Sequence, residues 1–333
     1  MGLLAARCPG AGADISERLV NEAIARNAPS VHAPLHEAAV NGDAEQVRQL
    51  LRDGADVEGA TKRGTTAMTM AAERGHVDVI FALFEGGGNV NAHTHHGRVS
   101  ALMGAAQNGY ADVVDALIEL GAPVDFANKN NATALFHAAG MGQNACVRAL
   151  IKAGAAVNWL DTSGASPLMA AVAGGHVSAA EMLLTEGGAE VDMTGKGHRM
   201  TALRYAVERG QAAAVRALLK AGANPNRVSA AAPFASPSPQ EDAGAQFGSM
   251  SDANRNDGGI DDEGAPATAL MAAAFRGNEE IVEALVEGGA DPTRRNREKE
   301  TAQQIAQRKE HWAVAKYLKI EGLNWLKEHD KDL

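Results

Sequence analysis

The sequence predicts an all-α solenoid of about eight helix-turn-helix repeats with β-turn or hairpin tips, interrupted by one disordered loop. Three observations carry that reading. A helix-capping position recurs at Ala33, Thr66, Ser100, Thr133, Ser166, Thr201, Thr268 and Thr301, at successive spacings of 33, 34, 33, 33, 35, 67 and 33. The 67 is one period of 33 plus an insertion of 34. Glycine punctuates each period; in the clearest copy, residues 64–91, Gly75 stops a first helix and Gly87 or Gly88 stops a second. Between the stops, Val77, Val79, Ile80, Leu83 and Phe84 form an apolar stripe at helical spacing. A unit this small cannot bury its own apolar face, so it must stack on copies of itself.

Within the unit, the hydroxyl at position 66 caps the first helix, and the paired Ala71 and Ala72 leave room for a second helix to approach closely. The repeat heads read most clearly at Ala33-Pro34-Leu35-His36-Glu37-Ala38-Ala39 and Ser166-Pro167-Leu168-Met169-Ala170-Ala171. The closings Gly54-Ala55-Asp56, Gly222-Ala223-Asn224 and Gly289-Ala290-Asp291 keep the same phase. A period of about 33 headed by T-P-L-H-x-A-A resembles the ankyrin repeat family. The resemblance runs from about residue 30 to the C-terminus with one interruption.

A length of 333 residues would suggest two globular domains, but a repeat array grows without a single central core. Apolar residues make up 45% of the chain and aromatic ones only 4%, which suits thin, closely packed helices. The formal net charge of -10 argues against a general phosphate-backbone binder. No run approaches the roughly 18 apolar residues of a membrane span. Cys8 and Cys146 give no disulfide framework, consistent with a reducing compartment, so cytoplasm or nucleus is the expected location. Cys146 falls in a helix stripe with Val147, Leu150 and Ile151 and reads as a small core residue. The first ten residues are too short for a secretory signal, and Ala6 stands where an N-myristoylation motif needs Ser or Thr.

Residues 1–13 read as disordered, and 14–30 as a capping helix with Ile15, Leu19, Val20, Ala23 and Ile24 on one face. Repeats one to six span 31–226, and repeats seven and eight with a C-terminal cap span 265–326, leaving a tail at 327–333. By the resemblance, His36 bonds within its turn. Val40 removes the second ligand of an H-E-x-x-H zinc motif beginning at His36. His93, His95 and His96 are close enough in sequence to suggest a metal, but no Asp, Glu or Cys completes the set nearby, which favours solvated turn histidines. Asn131 replaces a turn Gly, and Asn tolerates the left-handed conformation next best. Between the arrays, residues 227–264 are rich in Ser, Pro, Gly and Asp. There Arg227 and Arg255 face seven acids, a balance of -5. Such a segment cannot bury enough apolar surface to fold. Ser236-Pro237 and Ser238-Pro239 are candidate proline-directed phosphorylation sites. In repeat eight, Gln303 and Glu310 are polar where the family has Leu and Gly, while Trp312, Val314, Ala315, Tyr317, Leu318, Leu323, Trp325 and Leu326 are expected to seal that end.

Catalytic signatures are missing. Thr194-Gly195-Lys196-Gly197 lacks the spacing of a phosphate loop, and Gly164-Ala165-Ser166-Pro167-Leu168 lacks the closing Gly of a nucleophile elbow. No catalytic, cofactor or metal residue is predicted, and the chain reads as a non-enzyme.

The resemblance implies a protein-binding scaffold or adaptor. Its concave surface would be built from turn tips and from the two first-helix residues that precede the helix-ending Gly. The tips contribute Lys62, Arg63, Thr65, His95, His96, Arg98, Lys129, Asn130, Leu160, Thr162, Ser163, His198 and Met200. The helix pairs are Val40 with Asn41, Glu73 with Arg74, Gln107 with Asn108, Gly140 with Met141, Ala173 with Gly174, Glu208 with Arg209, and Phe275 with Arg276. Cations outnumber acids on that face, so it suits a partner segment with negative charge, unless these are ordinary solvated charges. Trp159, Phe275, Arg74 and Arg276 are the anchor candidates; for Trp159, packing against a neighbouring turn is the competing reading. The expected partner is a protein, with no nucleic acid and no membrane, and the chain is expected to be a monomer. The alternative function is a targeting or inhibitory subunit of an enzyme complex, autoregulated by the acidic loop at 227–264.

Overall fold

A computed structural model describes residues 33–194, 200–228 and 268–329, which form sixteen helices and no extended strands. They pair off as first and second helices of eight units. In chain order the pairs are α1 (Ala33–Asn41) and α2 (Ala44–Arg52), α3 (Ala67–Arg74) and α4 (Val77–Glu85), α5 (Ala101–Asn108) and α6 (Ala111–Glu119), and α7 (Ala134–Gly140) and α8 (Asn144–Lys152). The array continues with α9 (Pro167–Gly174) and α10 (Val177–Thr185), α11 (Ala202–Glu208) and α12 (Ala212–Lys220), α13 (Ala269–Arg276) and α14 (Glu279–Glu287), and α15 (Ala302–Arg308) and α16 (Trp312–His329). First helices stack on first helices and second on second, so the core is a continuous seam between two layers.

The local chemistry is the predicted one. The hydroxyls of Thr66, Ser100, Thr133, Ser166, Thr201, Thr268 and Thr301 each accept from the backbone amide three residues on. Each such cap contributes about 1 kcal/mol. Gly75 ends α3 at φ 83°, and a Cβ there would lie 2.6 Å from the Tyr110 ring, so both conformation and space require glycine. The second helix of that unit ends with Gly87 in the left-handed conformation, not Gly88. Where the tip and cap glycines are replaced, Arg98, Asn131, Lys299 and Glu310 take positive φ between 55° and 66° instead. Ala71 and Ala72 are fully buried, as is Cys146.

Two ladders tie unit to unit. Along the tips, backbone amides of His95, Lys129 and Thr162 donate to the carbonyls of Arg63, Gly97 and Asn130 of the preceding unit, at 2.9, 3.0 and 2.8 Å. At the other end of each unit, side chains of Glu58, Asp125, Asn158 and Asp192 accept from the amides of Asn89, Ala156, Glu190 and Asn224 in the next. The first residue of a second helix's entry turn also reaches back: His76, Gln143 and His311 bond the carbonyls of Val40, Gln107 and Phe275. His36 is buried, but its Nε2 lies 2.8 Å from the carbonyl of Gly59, 23 residues on in the turn that closes the unit, and not within its own turn as the resemblance implied.

The joint between units six and seven follows the same rules, although 39 residues separate Val228 from Thr268. Asn226 accepts from the Asp291 amide at 2.8 Å and donates to the Gly289 carbonyl at 2.9 Å, while Arg216 pairs with Glu280 at 2.7 Å. Buried Arg204 crosses the same joint, with Nη1 donating to the Thr268 carbonyl at 3.1 Å. Repeats six and seven therefore stack directly, and the insertion is spliced into the array without opening it. The insertion itself, the N-terminal helix at 14–30, Cys8, His198 and the serines at 236 and 238 lie outside the described residues.

Two further expectations need correction. Met200 is 2% exposed, buried like Ala132 and Ala165 at the same register, so it is not part of a tip surface. The terminal helix seals the stack with buried Val314, Ala315 and Leu318 and half-buried Tyr317, whereas Trp312, Leu323 and Leu326 face solvent. Helical spacing put apolar residues on α16 but gave no notice that they divide between two faces.

Candidate functional site

The face shared by the tips and the first helices is set by register. The residue eight positions after each cap is exposed in every unit: Asn41, Arg74, Asn108, Met141, Gly174, Arg209, Arg276 and Lys309. It forms one row along the solenoid, and the last three members are all cations. The residue before it varies from buried Gly140 to exposed Glu73 and Arg308.

The basic end of the row is also the aromatic one. Phe275 is half-buried, with the Lys309 ammonium 4.3 Å above its ring, and Tyr205 is half-buried on α11. Glu208 does not face outward. It is held by Arg204 at 2.7 Å, with both side chains nearly enclosed. Burial lowers the Arg276 guanidinium pKa from its usual value, opposed by the Glu208 charge and reinforced by Arg204. Arg308 is clamped by both carboxylate oxygens of Glu300 at 3.2 Å. Arg209, Arg276 and Lys309 are the exposed cations of the row at this end.

The middle of the row is small and tightly closed. A Cβ on Gly174 would stand 2.6 Å from the carbonyl oxygen of Gly140, so α7 and α9 approach through bare backbone. His137 lies beside this contact with its Nε2 3.1 Å from the Asn128 amide nitrogen. Burial pushes its pKa down to about 4, leaving the imidazole neutral at pH 7. Asn108 donates to the carbonyls of Gly104 and Glu73, at 2.9 and 3.3 Å, so its amide serves the stack. Gln107 is half-buried, and its backbone carbonyl accepts from the Gln143 side-chain amide.

Along the tips, Lys62, Arg63, His95, His96, Arg98 and Lys129 are exposed. Arg98 and His93 flank the Phe126 ring, at 4.9 and 5.4 Å, which ties Arg98 to the neighbouring tip. The Trp159 indole N–H donates to the Asn131 carbonyl at 2.9 Å, and Asn131 in turn donates to the Leu160 carbonyl at 2.7 Å. Trp159 and Leu160 are both half-buried in that exchange. Among the described residues, no group of three His, Cys, Asp or Glu side chains is arranged to hold a metal ion.

Residues 3–94, 102–195, 154–229 and 246–327 match the family described as ankyrin repeats in three copies, well over half of the chain. The chain belongs to the ankyrin repeat family. Osteoclast-stimulating factor 1 of Rattus norvegicus is 39% identical to this ankyrin array over 61 residues, 18% of this chain and 28% of the relative. The Gallus gallus protein of that name gives 39% over 61 residues, 30% of its length. Notch-regulated ankyrin repeat-containing protein A of Danio rerio is 34% identical over 55 residues, 16% of this chain and 49% of the relative. The chain thus spans less than a third of the osteoclast-stimulating factors it matches, and the likeness is confined to about two ankyrin repeats.

Sequence reasoning located Arg209, Phe275 and Arg276 but missed Lys309, Tyr205 and Arg204. Lys309 was legible in principle. A count back from a helix-ending Gly does not reach it, because repeat eight has Glu310 in that place. Counting forward from the Thr301 cap would have found it. For Arg204 the i,i+4 pairing with Glu208 is a local signal, whereas its bond to the Thr268 carbonyl, 64 residues away across the insertion, left none.

Proposed function

We propose that this ankyrin protein is a non-catalytic adaptor whose first-helix face binds an acidic segment of a partner protein, with the strongest contacts at repeats six to eight. The observation that carries the reading is that Arg209, Arg276 and Lys309 share one register at the end of the array that also carries the half-buried rings of Tyr205 and Phe275. Arg and aromatic side chains dominate binding hot spots, and a cation row on an acidic chain steers an acidic partner to one place. The tip cations Lys62, Arg63, Arg98 and Lys129 extend the same sign along the array, and Arg74 and Met141 line its middle. Trp159 contributes shape at the tips while its N–H stays with Asn131. Affinity capture with the intact chain and with an Arg209→Glu, Phe275→Ala, Arg276→Glu variant tests the proposal. A protein retained by the first and lost from the second is the partner; equal recovery of every protein contradicts it.

A second reading has a specific support in the -5 charge of residues 227–264, opposite in sign to this face, and in their return to the array at Thr268 on the N-terminus of α13. On that reading the acidic segment competes for the cation row. Deleting residues 230–263 would then raise partner affinity; unchanged affinity removes it.

A further inference from the structure

The second helices α2, α4, α6, α8, α10, α12 and α14 are each nine residues long, whereas α16 is 18. Its buried side is spent by Leu318. On the opposite side, at i, i+3 and i+4 spacing, stand Trp312, Lys316, Lys319, Ile320, Leu323, Leu326 and Lys327. Trp312 is 65% exposed, Ile320 50%, Leu323 53% and Leu326 41%. The helix acids Glu321 and Glu328 fall on the other side of the wheel, so this face is apolar and purely cationic.

We propose that this face of α16 is a docking site for an acidic amphipathic helix of a partner protein, distinct from the first-helix face. Two alternatives fit the residues less well. Lys319 occupies the position at which Leu51, Ile151 and Leu219 reach onto the next unit, against Gly86, Gly187 and Gly288. A second copy continuing the stack would bury that ammonium, and copies meeting face to face would oppose lysine to lysine. A helix lying in a lipid interface needs an unbroken apolar strip with its cations on the other side. Here Lys316 and Lys319 interrupt the strip between Trp312, Ile320, Leu323 and Leu326. A helix with carboxylates beside an apolar ridge meets both kinds of residue at once.

The probe is a fluorescent synthetic 18-residue helix with Leu on one face flanked by Glu, titrated with the full-length chain and followed by anisotropy. The expected result is salt-sensitive binding, weakened at least tenfold both by Lys316→Glu with Lys319→Glu and by Leu323→Ser with Leu326→Ser, and unchanged by Arg209→Glu with Arg276→Glu. That last variant separates this site from the first-helix face. Circular dichroism shows whether each variant keeps its helices. No binding, or binding indifferent to the α16 substitutions, overturns the proposal. So do wild-type binding to phosphatidylserine vesicles, or self-association in sedimentation, if either is abolished by the same substitutions.

Discussion

At the residue scale, the array depends on a few polar groups whose states follow from burial. Neutral His137 is favoured in the folded chain, with its pKa lowered to about 4 from 6.5. Below pH 6.5 the unfolded chain takes up a proton that the folded chain refuses, so stability is full above that pH and falls as pH drops toward about 4. The loss is on the order of 3 kcal/mol. His137→Gln keeps an acceptor for Asn128 and removes the titration; urea midpoints measured from pH 7 down to 4.5 should fall less steeply for it than for the wild type. Arg204 is the other sensitive group. Arg204→Ala removes the 2.7 Å partner of the enclosed Glu208 and unlinks Thr268, at a cost of about 3 kcal/mol. Hydrogen exchange should then quicken in α13 and α14 while α3 and α4 stay protected. Cys146, by contrast, is inert: burial, with Asp112 and Asp115 nearby, pushes its thiol up to about 11.

At the element scale, much was legible in the sequence and the reason is physical. Caps and stops act within four residues, so Thr66, Ser100 and Thr133 announced helix starts, and Asn131 a left-handed turn, without knowledge of anything distant. Faces are harder to read, because they depend on what stacks on them. Met200 looked like a tip residue but is buried, and α16 looked like a seal until half its apolar residues turned outward. The α7–α9 contact belongs to this scale too. In an exposed helix, Gly→Ala stabilises by up to about 1 kcal/mol. At Gly174 the new methyl would meet the Gly140 carbonyl, so Gly174→Ala should instead destabilise by about 1 kcal/mol or more, as measured by denaturant titration.

At the scale of the whole molecule, the account rests on one continuous stack carrying one cation row. Continuity across the insertion follows from the bonds of Asn226, Arg204 and Arg216 to repeat seven. Deleting residues 230–263 restores a spacing of 33 between Thr201 and Thr268. The shortened chain should keep its helical content and unfold at an unchanged denaturant midpoint; a drop would mean that the inserted residues hold the joint. Candidate binding residues were only partly readable at this scale. Their register follows from the repeat, but how the neighbouring cations are held depends on partners such as Glu300 and Glu208, which bind Arg308 and Arg204 beside the row. The most direct test is the dissociation constant of the captured partner for the intact chain and for Arg209→Glu with Arg276→Glu and Lys309→Glu, at low and at high salt. A binding site on this row predicts at least a tenfold weakening, with the salt dependence largely lost in the variant. Equal constants at both salt concentrations would contradict it and place the partner elsewhere on the molecule.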